Sequence, residues 1–233
     1  ATNSAGANGA TIASTYSANT TSGFSIVTYT GNQVAGATVY HGLGTAPSMI
    51  IAKGRNNSAS GWGIGHQSLG WSAWLGFNSN AVATGSALWN STAPTATLFT
   101  LGISGTLNTT GLTGLAYCFA EVPGYSAFGS YTGNGSADGT FVHLNFRPSW
   151  LLIKQTNGGS FNWNLIDTSR SPFNTADDLL APNANNAEVV SGFVDAVSNG
   201  FKCRNTSAYV NGSGSTYIYM AFAENPFKNS NAR

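Results

Sequence analysis

The stretch Leu112-Thr113-Gly114-Leu115-Ala116-Tyr117-Cys118-Phe119-Ala120-Glu121 decides how the chain is read. As a strand it sets Leu115, Tyr117 and Phe119 on one face and Ala116, Cys118 and Ala120 on the other, so neither face suits water. Such a strand belongs in the middle of a sheet. Near the end of the chain Ile218, Met220 and Phe222 alternate with Tyr219, Ala221 and Ala223 in the same two-sided way. The small residues on one face predict close packing of a second layer or of the other copy.

The likeness between these two runs is one of a series. Tyr29-Thr30-Gly31-Asn32 recurs as Tyr131-Thr132-Gly133-Asn134, Pro47 to Lys53 as Pro148 to Lys154, Trp62 as Trp163, and Phe119-Ala120-Glu121-Val122-Pro123 as Phe222-Ala223-Glu224-Asn225-Pro226. The offset is nearly constant, so the chain reads as two copies of a unit about 102 residues long, which is too long a period for a solenoid. Within each copy, period-two alternation is punctuated by Gly, Asn and Ser, the pattern of an all-β sandwich or barrel. Strands are predicted over 24–30, 38–41, 48–53, 62–66, 72–77, 97–101 and 112–121, with most repeated in copy two, and a short helix near Ala176–Leu180. The expected fold is therefore all-β: two tandem, internally duplicated β-sandwich-like domains at 23–123 and 124–226. Residues 1–22, with no bulky side chains apart from Ile12 and Tyr16, read as an extended polar arm or linker, and 227–233 as a C-terminal tail. This opening has neither a basic nor an apolar segment and does not begin with Met, which suggests a piece of a longer polypeptide or a processed start.

Only 7% of the 233 residues are charged and the formal net charge is +1, against about 25% charged residues in an ordinary domain. There is no basic stripe for nucleic acid and no polybasic surface for anionic lipid. Apolar residues make up 42%, with 13 Phe, 9 Tyr and 6 Trp, while 29 Gly supply turns; this is ample material for cores. No apolar run approaches the roughly 18–20 residues that span a bilayer, so no membrane insertion is expected. Cys118 and Cys203 are too few for a disulfide framework, and Cys118 reads as a buried thiol. Asn-x-Ser/Thr sequons recur, as this composition makes inevitable.

Chemistry has few carriers. Glu121 and Glu224 are repeat equivalents and read as structural carboxylates, and Asp177-Asp178 as opposite faces of a strand or helix-capping residues. Nothing in the sequence brings two carboxylates together as a glycosidase requires. His41, His66 and His143 lack metal-ligand spacing, and no nucleophile elbow, phosphate cradle or calcium loop is present. The expectation is a non-enzymatic protein with no metal and no cofactor.

Aromatic residues remain, since sugar rings stack on exposed Trp and Tyr. Trp62, Trp150 and Trp163 fit the repeat and read as core. Trp71, Trp74 and Trp89 have no match in copy two, so they are either core or specialised for binding. The glycan-binding candidates are Trp71 and Trp74, with His66, Arg55 and Asn57 as polar neighbours, the last two on the polar loop 54–61 with Trp62 at its base.

The phrases Tyr131 to Gly135, His41-Gly42-Leu43-Gly44, Pro148 to Lys154 and Ala223 to Lys228 resemble a family of duplicated β domains at the C-terminal end of large structural proteins in tailed phages of marine bacteria. The resemblance spans residues 20–228. It implies a virion-surface component (a tail fibre, a receptor-binding tip or a capsid appendage) whose partners are other virion proteins and a host cell-surface glycan, and, by analogy with fibres, a homo-oligomer such as a trimer. A secreted, extracellular bacterial carbohydrate-binding or adhesin module shares these features, and a polysaccharide hydrolase is a third reading.

Overall fold

The computed structural model describes residues 1–57, 61–77, 82–85, 87–157 and 161–226. The protein is all-β, and the described residues up to Glu121 form one compact unit while those from Val122 onward form another. No helix among the described residues is long and apolar enough to cross a membrane.

The described residues of unit one form ten strands: β1 (Thr2–Asn3), β2 (Ser14–Asn19), β3 (Phe24–Thr30), β4 (Ala37–Tyr40), β5 (Met49–Gly54), β6 (Gly63–His66), β7 (Ala73–Gly76), β8 (Val82–Thr84), β9 (Leu98–Leu101) and β10 (Thr113–Phe119). Eight form an antiparallel sheet in the order β1-β2-β3-β10-β5-β6-β7-β8, and β4 pairs with β9. The strand that decides the sequence reading, β10, lies between β3 and β5. Its Ala116, Cys118 and Ala120 are buried in a core with Val27, Ile50 and Phe99, while Leu115, Tyr117 and Phe119 are half-buried on the other face. Burial pushes the Cys118 thiol far above its usual range.

The described residues of unit two form eight strands: β11 (Ser126–Thr132), β12 (Phe141–His143), β13 (Pro148–Gln155), β14 (Asn164–Asp167), β15 (Ala176–Leu179), β16 (Val189–Val197), β17 (Gly200–Cys203) and β18 (Thr216–Ala223). They form two antiparallel sheets, β11-β18-β13-β14 and β12-β17-β16-β15. Leu165 and Leu180 exchange backbone hydrogen bonds, joining β14 to the residue after β15. The core holds Ile153, Ile166, Phe193 and Phe201.

The order β3-β10-β5-β6 recurs as β11-β18-β13-β14, in matching register: Met49 opposes Phe119 and His66 as Trp150 opposes Phe222 and Asp167. The shared Tyr-Thr-Gly-Asn phrase forms a clamp at the strand end. Tyr29 donates its hydroxyl to Leu107 O at 3.0 Å, and Tyr131 to Val210 O at 2.6 Å. The N–H groups of Asn32 and Asn134 bond the side-chain oxygens of Asn108 and Asn211, each at 3.0 Å. Between them a Cβ at Gly31 or Gly133 would run into the backbone of Thr109 or Gly212, so only glycine lets the two segments approach. Asn108 and Asn211 are fully buried, which removes these two sequons as surface acceptors.

One expectation is corrected, and of the two readings of residues 1–22, arm or linker, the structure has the arm. Residues 176–179 are strand β15, not a helix, because they pair with β16 and tertiary pairing overrides a short local preference. The segment 1–22 is not a free linker: Ser14–Asn19 pairs along β3, Ile12 bridges to Val39 of β4, and Ala10 and Ile12 are buried. Small residues suffice there because the arm fills the seam between β3 and β4, where Ser14 donates to Tyr40 O and Ser25 to His41 O. The tail 227–233 lies outside the described residues.

Candidate functional site

The candidates read from the sequence divide into two groups. His66 closes β6 opposite Met49, at the start of β5, whereas Arg55 and Asn57 follow the end of β5, about 20 Å away at strand rise. His66 is fully buried and its Nδ1 accepts the Ser68 N–H, capping a 3-10 turn at Gln67–Leu69. It is therefore a structural residue and not a polar neighbour of a ligand. Trp71 lies in the following turn, with its ring 5.8 Å from that of Trp89 in an edge-on contact. Trp74, on β7, also packs against the core of unit one. Trp71 precedes β7, which starts at Ala73. Arg55 is exposed, its N–H bonding Thr113 O, and Asn57 is half-buried; part of their loop, 58–60, lies outside the described residues. The structure thus assembles Trp71 and Trp74 with the core and brings neither to Arg55 or Asn57.

A different surface gathers ligand-type groups. The arm builds a cleft of about 310 Å³ against β3, walled by Asn3, Ser4, Ser14 and Tyr29 and by a set of threonines. The register defines the set: Thr2 opposes Thr15, Thr15 opposes Thr28, and Thr30 opposes Thr113. Opposed residues share a face, as do residues two apart on one strand, so all five threonines stand on one side of the sheet. Strand spacing separates the rungs by about 4.8 Å. Among the described residues, the hydroxyls of Thr2, Thr15, Thr30 and Thr113 make no bond within the protein.

The alternating residues Asn3, Ser14 and Tyr29 turn their side chains to the opposite, buried face of the same strands and hold them in place. Asn3 donates to Ser4 O and Ala7 O at 3.1 Å each and accepts from Asn8. Tyr29 is held by Leu107 O, and burial pushes its phenol well above the usual range, so it stays neutral. The cleft presents neutral donor–acceptor hydroxyls beside threonine methyls, chemistry that matches the hydroxyls and C–H faces of a sugar. Bulk and charge mark sites most readily in a sequence, and this one has neither. Its only signal is Thr and Ser at alternate positions in the arm and in β3.

The family model for a domain of unknown function, DUF7483, matches residues 1–226. The chain belongs to this family. No curated protein and no solved structure matches it. The DUF7483 match starts at residue 1, so the arm that walls the cleft is part of the family's own pattern, together with both β units.

Unit two of this DUF7483 chain concentrates the carboxylates. Ser171 Oγ donates to Asp178 Oδ2 at 2.7 Å and bonds Asp177 Oδ1 at 3.2 Å, so β15 brings together two carboxylates that strand alternation alone would keep apart. Arg170 bonds Asp167 and Glu188 nearby. Burial alone would raise the Asp167 carboxyl, but the N–H and guanidinium of Arg170 outweigh it and hold the group below the usual carboxylate range. Among the described residues no cluster of three or more His, Cys, Asp or Glu has metal-site geometry.

Proposed function

We propose that this chain is a non-enzymatic glycan-binding module of a virion surface, and that its cleft in unit one holds a neutral sugar of the host envelope. The observation that carries the reading is the threonine set: five side chains on one face, four with hydroxyls unspent within the protein, around a cleft of about 310 Å³. Volumes of roughly 300–1,000 Å³ with a few convergent polar groups are typical of small-molecule sites. Placement on a tail fibre, receptor-binding tip or capsid appendage rests on the resemblance of the repeated motifs. Assembly with other virion proteins as a homo-oligomer belongs to the same proposal. A surface almost without charge suits a particle in seawater, where salt screens ion pairs within a few ångströms.

A glycan array probed with the full chain tests this reading. Retention of neutral, unsulfated glycans that persists from low to high salt is expected, because no charged side chain lines the cleft. Retention confined to sulfated or carboxylated glycans and lost in salt would refute it. Release of reducing ends from retained glycans would instead support a hydrolase.

A further inference from the structure

We infer that the threonine cleft is one end of a longer track, and that unit one takes an extended chain of neutral sugars, a β-1,4-linked hexose oligomer, along the open face of β3 and β10. The inference rests on the glycan-binding reading and names the class of glycan.

Cross-strand register carries the face beyond the threonines. From the rung of Thr30 and Thr113, the same side of the sheet continues through Thr28 and Leu115, then Ile26 and Tyr117, then Phe24 and Phe119. Strand rise makes this run about 20 Å long, several times the width of one sugar ring. Hydroxyls begin the track and aromatic rings end it. The rings of Phe24 and Tyr117 lie 17° from parallel with centroids 6.2 Å apart, and Trp62 continues the series beyond Tyr117 at 19° and 6.1 Å. Lys53 Nζ, 5.5 Å from the Trp62 centroid, holds that last ring.

The face is open where the track runs. Ile26 is 38% exposed, Phe24, Trp62 and Tyr117 are half-buried, and Ser17 and Asn19 on the neighbouring β2 are exposed. Farther across the same face Ile64 and Leu75 are fully buried, so the opening narrows toward β6 and β7. Unit two has no such track: the corresponding positions are Ser126, Met220 and Trp163, all buried. Trp62, the repeat equivalent of Trp163, therefore departs from the core role that the repeat suggests.

The mixture of groups selects the occupant. Ser17 opposes Ile26 and Asn19 opposes Phe24, so the rings are bordered by hydrogen-bonding side chains and do not form the continuous apolar patch at the centre of a protein interface. A sugar needs this pairing, with its C–H face on a ring and its hydroxyls at the polar border. Rings in near-parallel planes are met together only by a chain whose own faces stay near-parallel. Equatorial β-1,4 links hold successive pyranoses in an extended ribbon, whereas the axial bond of an α-1,4 chain turns each unit away from the last.

The test is calorimetric titration of the full chain with cellobiose and cellotetraose, with the corresponding β-1,4-linked mannose oligomers, and with maltotetraose as the bent control. In at least one β-1,4 series the tetrasaccharide should bind about tenfold or more tighter than its disaccharide, and by a similar factor tighter than maltotetraose. Ile26→Glu, at an exposed place on the track, should remove that gain without moving the thermal midpoint, and Tyr117→Ala should remove it too. Thr15→Val/Thr30→Val should weaken disaccharide and tetrasaccharide alike. Equal affinity for the two chain lengths, a gain retained in Ile26→Glu, or equal binding of maltotetraose would overturn the track and leave a glycan site at the threonines, whereas binding of none of these sugars together with a blank glycan array would overturn both. Self-association of the parent that Ile26→Glu abolishes, without any gain from chain length, would assign the face to a second copy of the chain and overturn the track as well.

Discussion

Replacing Asn211 by alanine should remove the bracket that ties the Tyr-Thr-Gly-Asn turn of unit two to the loop before β18. The side chain is fully buried. Its Oδ1 accepts the Asn134 N–H at 3.0 Å, and its Nδ2 serves Ser136 O at 2.8 Å, Asn205 O at 2.9 Å and Asn134 Oδ1 at 3.0 Å. Two amide hydrogens share three acceptors, so about three bonds are at stake, each with a net value near 1 kcal/mol, and the stranded backbone groups add desolvation cost. The expected loss is about 3–5 kcal/mol, within the range reserved for broken buried networks. In equilibrium urea denaturation followed by tryptophan fluorescence, the midpoint should fall by about 1–2 M. Asn211→Asp separates hydrogen bonding from shape, because it keeps the size but has no donor and sets a carboxylate against the carbonyls of Ser136 and Asn205. It should be at least as damaging as alanine; an aspartate variant within about 0.5 kcal/mol of the parent would refute the bracket.

Trp71→Ala and Trp74→Ala should each lose about 2–4 kcal/mol in the same denaturation assay, since both pack on the core of unit one, and the folded fraction should still bind glycans; unchanged stability with lost binding would restore them as stacking residues. Lys154 is fully buried, and burial pushes its ammonium down to about 8, so between that pH and the unfolded value near 10.4 the unfolded chain holds the extra proton and stability rises with pH. Relative to Lys154→Met, the parent should gain up to about 3 kcal/mol across that window, and parallel pH profiles for the two proteins would contradict it.

The strands are legible where side chains alternate strongly. Period two in Leu115–Ala120 marks a central strand, and the structure places it at the middle of the sheet between β3 and β5. The repeated Tyr, Gly and Asn of the turn phrase occupy corresponding places in both units because each meets a different physical need: the Tyr donates a hydroxyl, the Gly permits close approach and the Asn anchors the backbone. The arm resembles a linker because an edge strand that fills a seam needs hydroxyls and small residues, the composition that linkers also have. The candidate site is hidden for the same reason. Bulky residues draw attention to Trp71 and Trp74, whereas the unspent hydroxyls of Thr2 and Thr15 become a site only once cross-strand register aligns them with Thr28. Likewise, adjacent Asp177 and Asp178 should diverge on a strand, yet Ser171 reaches both, a loop contact that no strand periodicity encodes.

The most direct measurement of the central claim is calorimetric titration of the full chain and of a Thr15→Val/Thr30→Val double variant with a neutral glycan retained on the array. Valine keeps the shape and strand preference of threonine and replaces the hydroxyl by a methyl. The account predicts at least tenfold weaker binding by the double variant, with the thermal midpoint unchanged. Equal affinity of parent and variant for that glycan would contradict it.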